Sequence, residues 1–428
     1  MKRAMLWMLL LTLCLAPAAR AAEVPYLSEV DSAFSSVKDE LEACAVDLHQ
    51  TASCGGASIT IDQLCLSEDY ILVFFTARND KALSLPGEAG DPESWRYKWA
   101  APTFFAIPPD GSHLRLGSGF AEEAFMPDER TIRGCARIEM EKPLSSFDQV
   151  TLGAVGFAGA GGNTAGAPFQ WKLAVDPALF AGTRYETSAS GEVRTPTSVE
   201  WKVEIESVSF SPMGNRVNLK TASSSGAPVN LAVLDEKGNY LMVQDHGGTM
   251  NLDATPENPF VDEYCIPFLG GEGSNKLTLV PYYYPEPDER DEAPEEAPDE
   301  PAALLPLTAP LPARVDLADG VAIIIDAMRF DVAGGSVAWR PASLTDGLFN
   351  FKLCDADGQD LDLGRYADGH YDYATGAKIE SWMWMSQFRD GVMQAVDEVT
   401  IAKGTHLGIL SGSGQIFLPD QAIKIDLG

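Results

Sequence analysis

Beyond residue 50, apolar and polar residues alternate in short runs, the two-residue period of strands that bury one face. One run occurs three times: Ile59-Thr-Ile61-Asp62-Gln-Leu64-Cys-Leu66, Val203-Glu-Ile205-Glu206-Ser-Val208-Ser-Phe210 and Ile323-Ile-Ile325-Asp326-Ala-Met328-Arg-Phe330. In each copy the alternation holds, skips one residue, and resumes on the other parity. Such a strand needs a bulge, or must pass from one sheet to another. Turn residues and a second strand follow each copy, at 70–75, 216–220 and 336–340, which predicts hairpins. Further on, an apolar strand runs into a glycine turn at 104–111, 231–238 and 351–358, with a leucine three residues later (Leu114, Leu241, Leu361). The third shared element is Asp148-Gln-Val150-Thr151-Leu152, Asn275-Lys-Leu277-Thr278-Leu279 and Asp397-Glu-Val399-Thr400-Ile401. Further strand-like runs lie at 137–140, 170–175, 379–385 and 422–427.

These repeats predict an all-β protein of three tandem immunoglobulin-like β-sandwich domains with a short N-terminal amphipathic helix. Val30, Phe34, Val37, Leu41, Ala45 and Leu48 recur at spacings of three and four, placing that helix within 22–50, packed on the first sandwich. The sandwiches are predicted at 51–190, 196–284 and 313–428. The first carries an insertion at 81–100 holding Trp95, Tyr97 and Trp99, spaced two apart. That spacing reads as an aromatic strand covering the core, or as a binding loop. Between the second and third copies lies 285–312, whose first half has nine acids, one Arg and four prolines. It reads as an extended, self-repelling linker that tethers the third sandwich independently of the others.

The formal net charge of −31 repels phosphate backbones and anionic lipid heads, so nucleic acid is not expected as a partner. Residues 1–21 have the form of a signal peptide: a basic Met1-Lys2-Arg3, an apolar run over 4–16 and a small-x-small site at Ala19-Arg-Ala21. This predicts a secreted or extracytoplasmic, cell-surface protein, associated with membrane only if the segment stays uncleaved. Export permits disulfides, and four of the six remaining cysteines (Cys44, Cys54, Cys65, Cys135) crowd the first repeat, enough for one or two bridges of unspecified pairing. Cys265 and Cys354 stand alone in theirs.

No catalytic constellation is visible, so catalytic residues are none and the protein reads as non-enzymatic. The five histidines are scattered, and no nucleophile elbow, phosphate loop or dinucleotide fingerprint is present. No cofactor is expected, calcium excepted: Asp355, Asp357, Asp360 and Asp362 cluster about Gly358, as oxygen ligands would. The same turn lacks that cluster in the other copies, so its shared role is a β-turn in which glycine supplies positive φ. Trp382 and Trp384 share one face of a strand. With Trp95, Tyr97 and Trp99 they are the candidate ligand-binding residues, because aligned aromatic rings stack on sugars as readily as they fill cores. Function is therefore expected to be binding or scaffolding at a cell surface; the resemblance given next implies that the surface is bacterial, with envelope sensing as one form. The alternative is a carbohydrate-binding accessory protein. The partner is a protein or glycan of that surface.

Gly56-Ala-Ser-Ile59-Thr-Ile61-Asp62, the hairpin after it and Gln170-Trp171-Lys-Leu-Ala-Val175 resemble an extracytoplasmic domain of unknown function. That domain occurs in anti-sigma-factor-like surface proteins of Gram-positive bacteria. Val24-Pro25-Tyr-Leu-Ser-Glu-Val30 resembles the segment that follows the membrane helix there. Repeat two, through residues 233–239 and 277–282, is similar to the immunoglobulin-like domain that often comes next. The resemblance covers residues 24–284 and implies no catalytic residues. Only Met1-Lys2-Arg3 precedes the apolar segment, so a cytoplasmic sigma-binding region is not expected.

Overall fold

The computed structural model describes residues 34–85, 93–107, 109, 117–157, 167–196, 200–224, 228–244, 255, 258–284, 301–317, 321–331, 334–344, 349–361, 364–389, 392–395, 404–411 and 415–428. The signal segment 1–21, Val30, Gly111, Leu114, the acidic half of the linker at 285–300, Asp362 and the third copy's 397–401 lie outside the described residues. The protein is all-β, as the alternation predicts. It divides into two compact units, one ending at Ala181 and the other running over Gly182–Gly428.

The first unit contains α1 (Lys38–Cys44), β1 (Val46–Cys54), β2 (Ala57–Leu66), β3 (Tyr70–Asn79), α2 (Glu93–Ala100), β4 (Thr103–Ile107), β5 (Gly117–Gly119), β6 (Ala121–Asp128), β7 (Thr131–Met140), β8 (Gln149–Val155) and β9 (Phe169–Ala174). The strands hydrogen-bond in the order β1-β2-β3-β7-β5-β4-β8-β9, with β6 also on β7. Trp171 Nε1 donates to the Gln50 carbonyl at 3.1 Å, so the last strand meets the first and the sheet curls around one core. Ile59, Ile61, Leu64 and Leu66 all face that core despite their mixed parity. The register of β2 on β3 shifts between Ile61 and Gln63, so Asp62 is the bulged residue. The bulge returns the later leucines to the side that the isoleucines bury.

Two expectations are corrected in this unit. The N-terminal helix is shorter than its Val30-to-Leu48 stripe predicts: a 3₁₀ turn at Ser35–Val37 leads into α1, and Ala45 is already extended (ψ 135°). Phe34, Val37, Leu41 and Ala45 are buried as their stripe requires. Leu48 instead belongs to β1, whose pairing with β2 supplies hydrogen bonds to backbone that a longer helix would occupy. The aromatic run of the insertion is a helix, α2, not a strand. Its first residue is acidic and Lys98 sits in its last turn, which suits the helix dipole.

The second unit holds repeats two and three. Repeat two comprises β10 (Thr183–Glu186), β11 (Ser190–Arg194), β12 (Glu200–Phe210), β13 (Asn215–Ser223), β14 (Asn230–Leu234), β15 (Tyr240–Val243), β16 (Phe260–Leu269) and β17 (Lys276–Tyr283). Repeat three comprises β18 (Ala303–Pro306), β19 (Ala313–Asp316), β20 (Ala322–Asp331), β21 (Gly334–Pro341), β22 (Phe349–Cys354), β23 (Gly364–Asp372), β24 (Ala377–Arg389), β25 (Val392–Ala395) and β26 (His406–Ser411). The tail adds β27 (Ile416–Phe417) and β28 (Ile423–Asp426). Registers shift between Ile205 and Ser207, and between Ile325 and Ala327, so Glu206 and Asp326 are bulged as Asp62 is.

The third repeat is not independently tethered. β28 pairs with β17 of repeat two, Leu277 opposite Ile425 and Leu279 opposite Ile423, and both isoleucines enter the repeat-two core. Upstream of β28, the Gln421 side chain bonds the Arg194 backbone in both directions, accepting from its N–H at 2.6 Å and donating to its carbonyl at 2.9 Å. β27 pairs with the other end of β17, and Phe417 packs on Tyr282 with ring centroids 5.2 Å apart. Leu344 of repeat three joins Phe417 and Ala422 over Ala232, Tyr240 and Val280. The outer face of the β14-β15-β17 sheet is thereby buried by chain that follows the linker. The linker itself shortens: Ala303–Pro306, within the 285–312 span, is β18 and pairs with β26. Ala303, Leu304 and Leu305 are apolar where the preceding residues are acidic, so they can join a sheet.

Candidate functional site

Strands β19, β20 and β21 lie side by side, and their register sets Arg314 opposite Ile324 and Ile324 opposite Arg340. The result is an Arg–Ile–Arg row across three strands, with the arginine backbones roughly 10 Å apart from two strand spacings. Ile323, Ile325 and Trp339 point the other way and are buried. The row therefore lies on the outer face of the third repeat. It forms one wall of a cleft of about 440 Å³. The cleft is also lined by Tyr240, Leu241 and Met242 of β15, the Gly270-Gly271 corner after β16 and the 374–376 turn. Both glycines have φ of 81°, a conformation that side-chain-bearing residues resist.

Two carboxylates bind the two guanidiniums, and two more line the cleft. Asp326, the bulged acid of β20, accepts from Arg340 Nε at 3.0 Å, and Asp316 accepts from Arg314 Nε at 2.9 Å. Asp235 is used by its own turn, where Oδ1 accepts from the backbone N–H groups of Lys237 (2.9 Å) and Asn239 (2.8 Å). Glu272 accepts from Asn215 Nδ2 at 3.1 Å. Both arginines are thus oriented through Nε. Among the described residues, no hydrogen bond uses their terminal Nη groups. The site offers fixed donors beside fixed acceptors, above the apolar floor of Leu241, Met242 and Leu269.

Arg340 owes its position to the shared bulge. It pairs with the residue two before the bulged acid, as Thr76 does in repeat one and Lys220 in repeat two. Thr76 Oγ1 donates to Asp62 Oδ2 at 2.8 Å, the counterpart of the Arg340–Asp326 contact. The bulge is common to all three copies, while the residue at that register position differs in each, and in repeat two Lys220 reaches Glu263 instead.

Among the described residues, none of the candidate site residues singled out from the sequence lines the cleft. Tyr97 packs against the first core, whereas Trp99 is 55% exposed. On a helix Trp95 and Trp99 share a side and Tyr97 does not, so the three form no single platform. Trp382 and Trp384 lie in β24, opposite Tyr366 and Gly364, but their side chains lie outside the described part of the structure. The side chain of Trp95 does as well. At the calcium candidate, Asp355 Oδ1 accepts from the N–H groups of Asp357 and Gln359, both at 2.9 Å, the same arrangement as at Asp235. Gly238 and Gly358 take φ of 80° and 85° in these turns, as the β-turn reading requires. Asp360 lies 3.9 Å from Lys352 Nζ. Among the described residues no group of three or more His, Cys, Asp or Glu could hold a metal ion. No described helix is long and apolar enough to cross a membrane.

No protein-family model matches the chain, and no curated protein does. A solved structure, "The crystal structure of the conserved domain protein from Bacillus anthracis", is similar to it at 17% identity, with a TM-score of 0.35. The match covers 56% of this chain and 78% of that one. A likeness at that score carries no argument about function.

Proposed function

We propose that this is an exported, non-catalytic binding protein of a bacterial cell surface, whose ligand site is the cleft between repeats two and three. The observation that carries the reading is the Arg314–Ile324–Arg340 row, whose three residues line a partly apolar cleft. A cleft of a few hundred Å³ with a few fixed polar groups is the usual form of a small-ligand site. The charge balance favours one ligand class. Four carboxylates beside two guanidiniums disfavour a polyanion, while hydroxyl groups, which donate and accept, suit both kinds of partner. A hydroxyl-rich glycan of the envelope therefore fits best. The signal-like N-terminus and the acidic composition agree with an extracytoplasmic site of action.

A glycan array tests this directly, comparing the wild type with Arg314→Ala. Arg314 is half-exposed and, among the described residues, pairs with exposed Asp316, so its removal should leave the fold intact. Glycan binding that weakens by about tenfold, as expected for a lost charged hydrogen bond of roughly 1.5 kcal/mol, supports the reading. Retention of protein but no glycan from an envelope extract would favour a scaffolding role instead.

A further inference from the structure

The outer face of β2 carries a second feature, separate from the cleft. Cys44 ends α1, and Cys65 stands on β2 on the side opposite the main core. Both thiols donate to one carbonyl, that of Leu41, Cys44 Sγ at 3.4 Å and Cys65 Sγ at 3.5 Å. The sulfurs therefore lie no farther apart than the sum of those distances, on side chains that can turn about χ1. We propose that Cys44 and Cys65 are a disulfide-forming pair that staples α1 to β2 when the protein meets a disulfide oxidant.

Within the first unit, neither Cys135 nor Cys54 can take the place of Cys44 as the partner of Cys65. Cys65 lies opposite Leu72 on β3, and Cys135 lies opposite Phe74 on the far side of the same strand. Two strand spacings put their backbones at least about 9.5 Å apart, beyond the roughly 7 Å that a disulfide spans. Cys54 pairs with Ala57, at the opposite end of β2 from Cys65, on the order of 25 Å away. Cys44 is partly exposed and Cys65 is buried, which sets the order of events. Contact with Cys65 lowers the Cys44 pKa, whereas contact with Cys44 and then burial raise that of Cys65. Cys44 is thus the entering nucleophile. Its thiolate attacks a sulfur of the oxidant's disulfide, forming a mixed disulfide and releasing one thiolate. Cys65 then attacks the Cys44 sulfur, passes its proton to the second departing thiolate, and closes the bridge. Two protein thiols are oxidised and one disulfide is reduced to two thiols.

The bridge would add a covalent tie to a helix that packs through Phe34, Val37, Leu41 and Ala45. The test uses the full chain incubated with oxidised glutathione, then alkylated, digested without reduction and analysed by mass spectrometry. The expected product is one peptide pair joined through Cys44 and Cys65, with Cys54 and Cys135 still alkylated. Reduction should then lower the first unit's melting temperature by roughly 5 °C or more. Recovery of Cys44 and Cys65 as alkylated thiols, or bridges of either to Cys54 or Cys135, would overturn the proposal. Cys44→Ser gives a second reading. It should leave Cys65 unbridged, glutathione-free and insensitive to the oxidant. A mixed disulfide at Cys65 in that variant would contradict the assignment of Cys44 as the entry point.

Discussion

Ile425→Ala tests whether the C-terminal strand belongs to repeat two. Ile425 is 1% exposed, faces Leu277 across β28 and β17, and sits in the repeat-two core with Val203, Ile205 and Leu231. Truncating a fully buried isoleucine costs about 2–5 kcal/mol, the lost transfer energy plus the cavity left behind. The neighbourhood is tight: a side-chain carbon added at Gly191 of β11 would meet Ile423 Cγ1 at 2.6 Å. Packing that close relaxes little, so a mid-range cost of about 3 kcal/mol is expected. For a unit of this size that lowers the melting temperature by roughly 6–12 °C. Ile416→Ala is the control, because Ile416 lies in the same tail but is 43% exposed, and should change stability by about 0.5 kcal/mol or less. The assay is thermal unfolding followed by circular dichroism, with limited proteolysis to locate the loosened segment. Protection should be lost at β17 and β12 as well as in the tail. Equal melting temperatures for the two variants, or proteolysis confined to residues after 404, would refute the placement of β28.

Gly238→Ala should cost about 1–2 kcal/mol through backbone conformation alone, since φ is 80° there and no atom lies within 4 Å of an added side-chain carbon. Chemical denaturation should show that loss with an unchanged m-value. Asp128 accepts from the Arg130 N–H at 2.8 Å, and that bond, with the Thr131 hydroxyl, holds its carboxyl below the usual range. A depressed folded-state pKa means stability present above the unfolded pKa and lost as pH falls through the folded one. Melting curves of the wild type and Asp128→Asn should therefore differ near neutral pH and converge as the pH falls through the lowered carboxyl range.

The sequence made the bulges legible because each leaves a mark in one dimension: a parity skip at Asp62, Glu206 and Asp326. The turns at Gly238 and Gly358 were legible for a like reason, a fixed glycine after an apolar run. What escaped depends on pairing between distant segments. Ile423-Lys-Ile425-Asp announces a strand, but nothing local says that it joins β17 rather than a neighbour within repeat three. Trp95, Tyr97 and Trp99 alternate like a strand, yet they lie in a connection with no sheet partner, and there the helix satisfies its own backbone. Arg314 and Arg340 look like ordinary outward residues until the register of three strands sets them in one row. The comparison of copies singled out the aromatic insertion, the acidic turn and the Trp pair, and not Arg340, which stands where the others have Thr76 and Lys220. The five aromatic candidates drew notice by residue type, whereas the cleft is made by register.

The central claim is that the Arg314–Ile324–Arg340 row binds the ligand. The most direct measurement is the affinity of the wild type and Arg314→Ala for immobilised envelope glycans, with Trp99→Ala as a surface control. The account predicts binding that falls about tenfold in Arg314→Ala and is unchanged in Trp99→Ala. Binding lost in Trp99→Ala but intact in Arg314→Ala, or no glycan bound by the wild type, would contradict it.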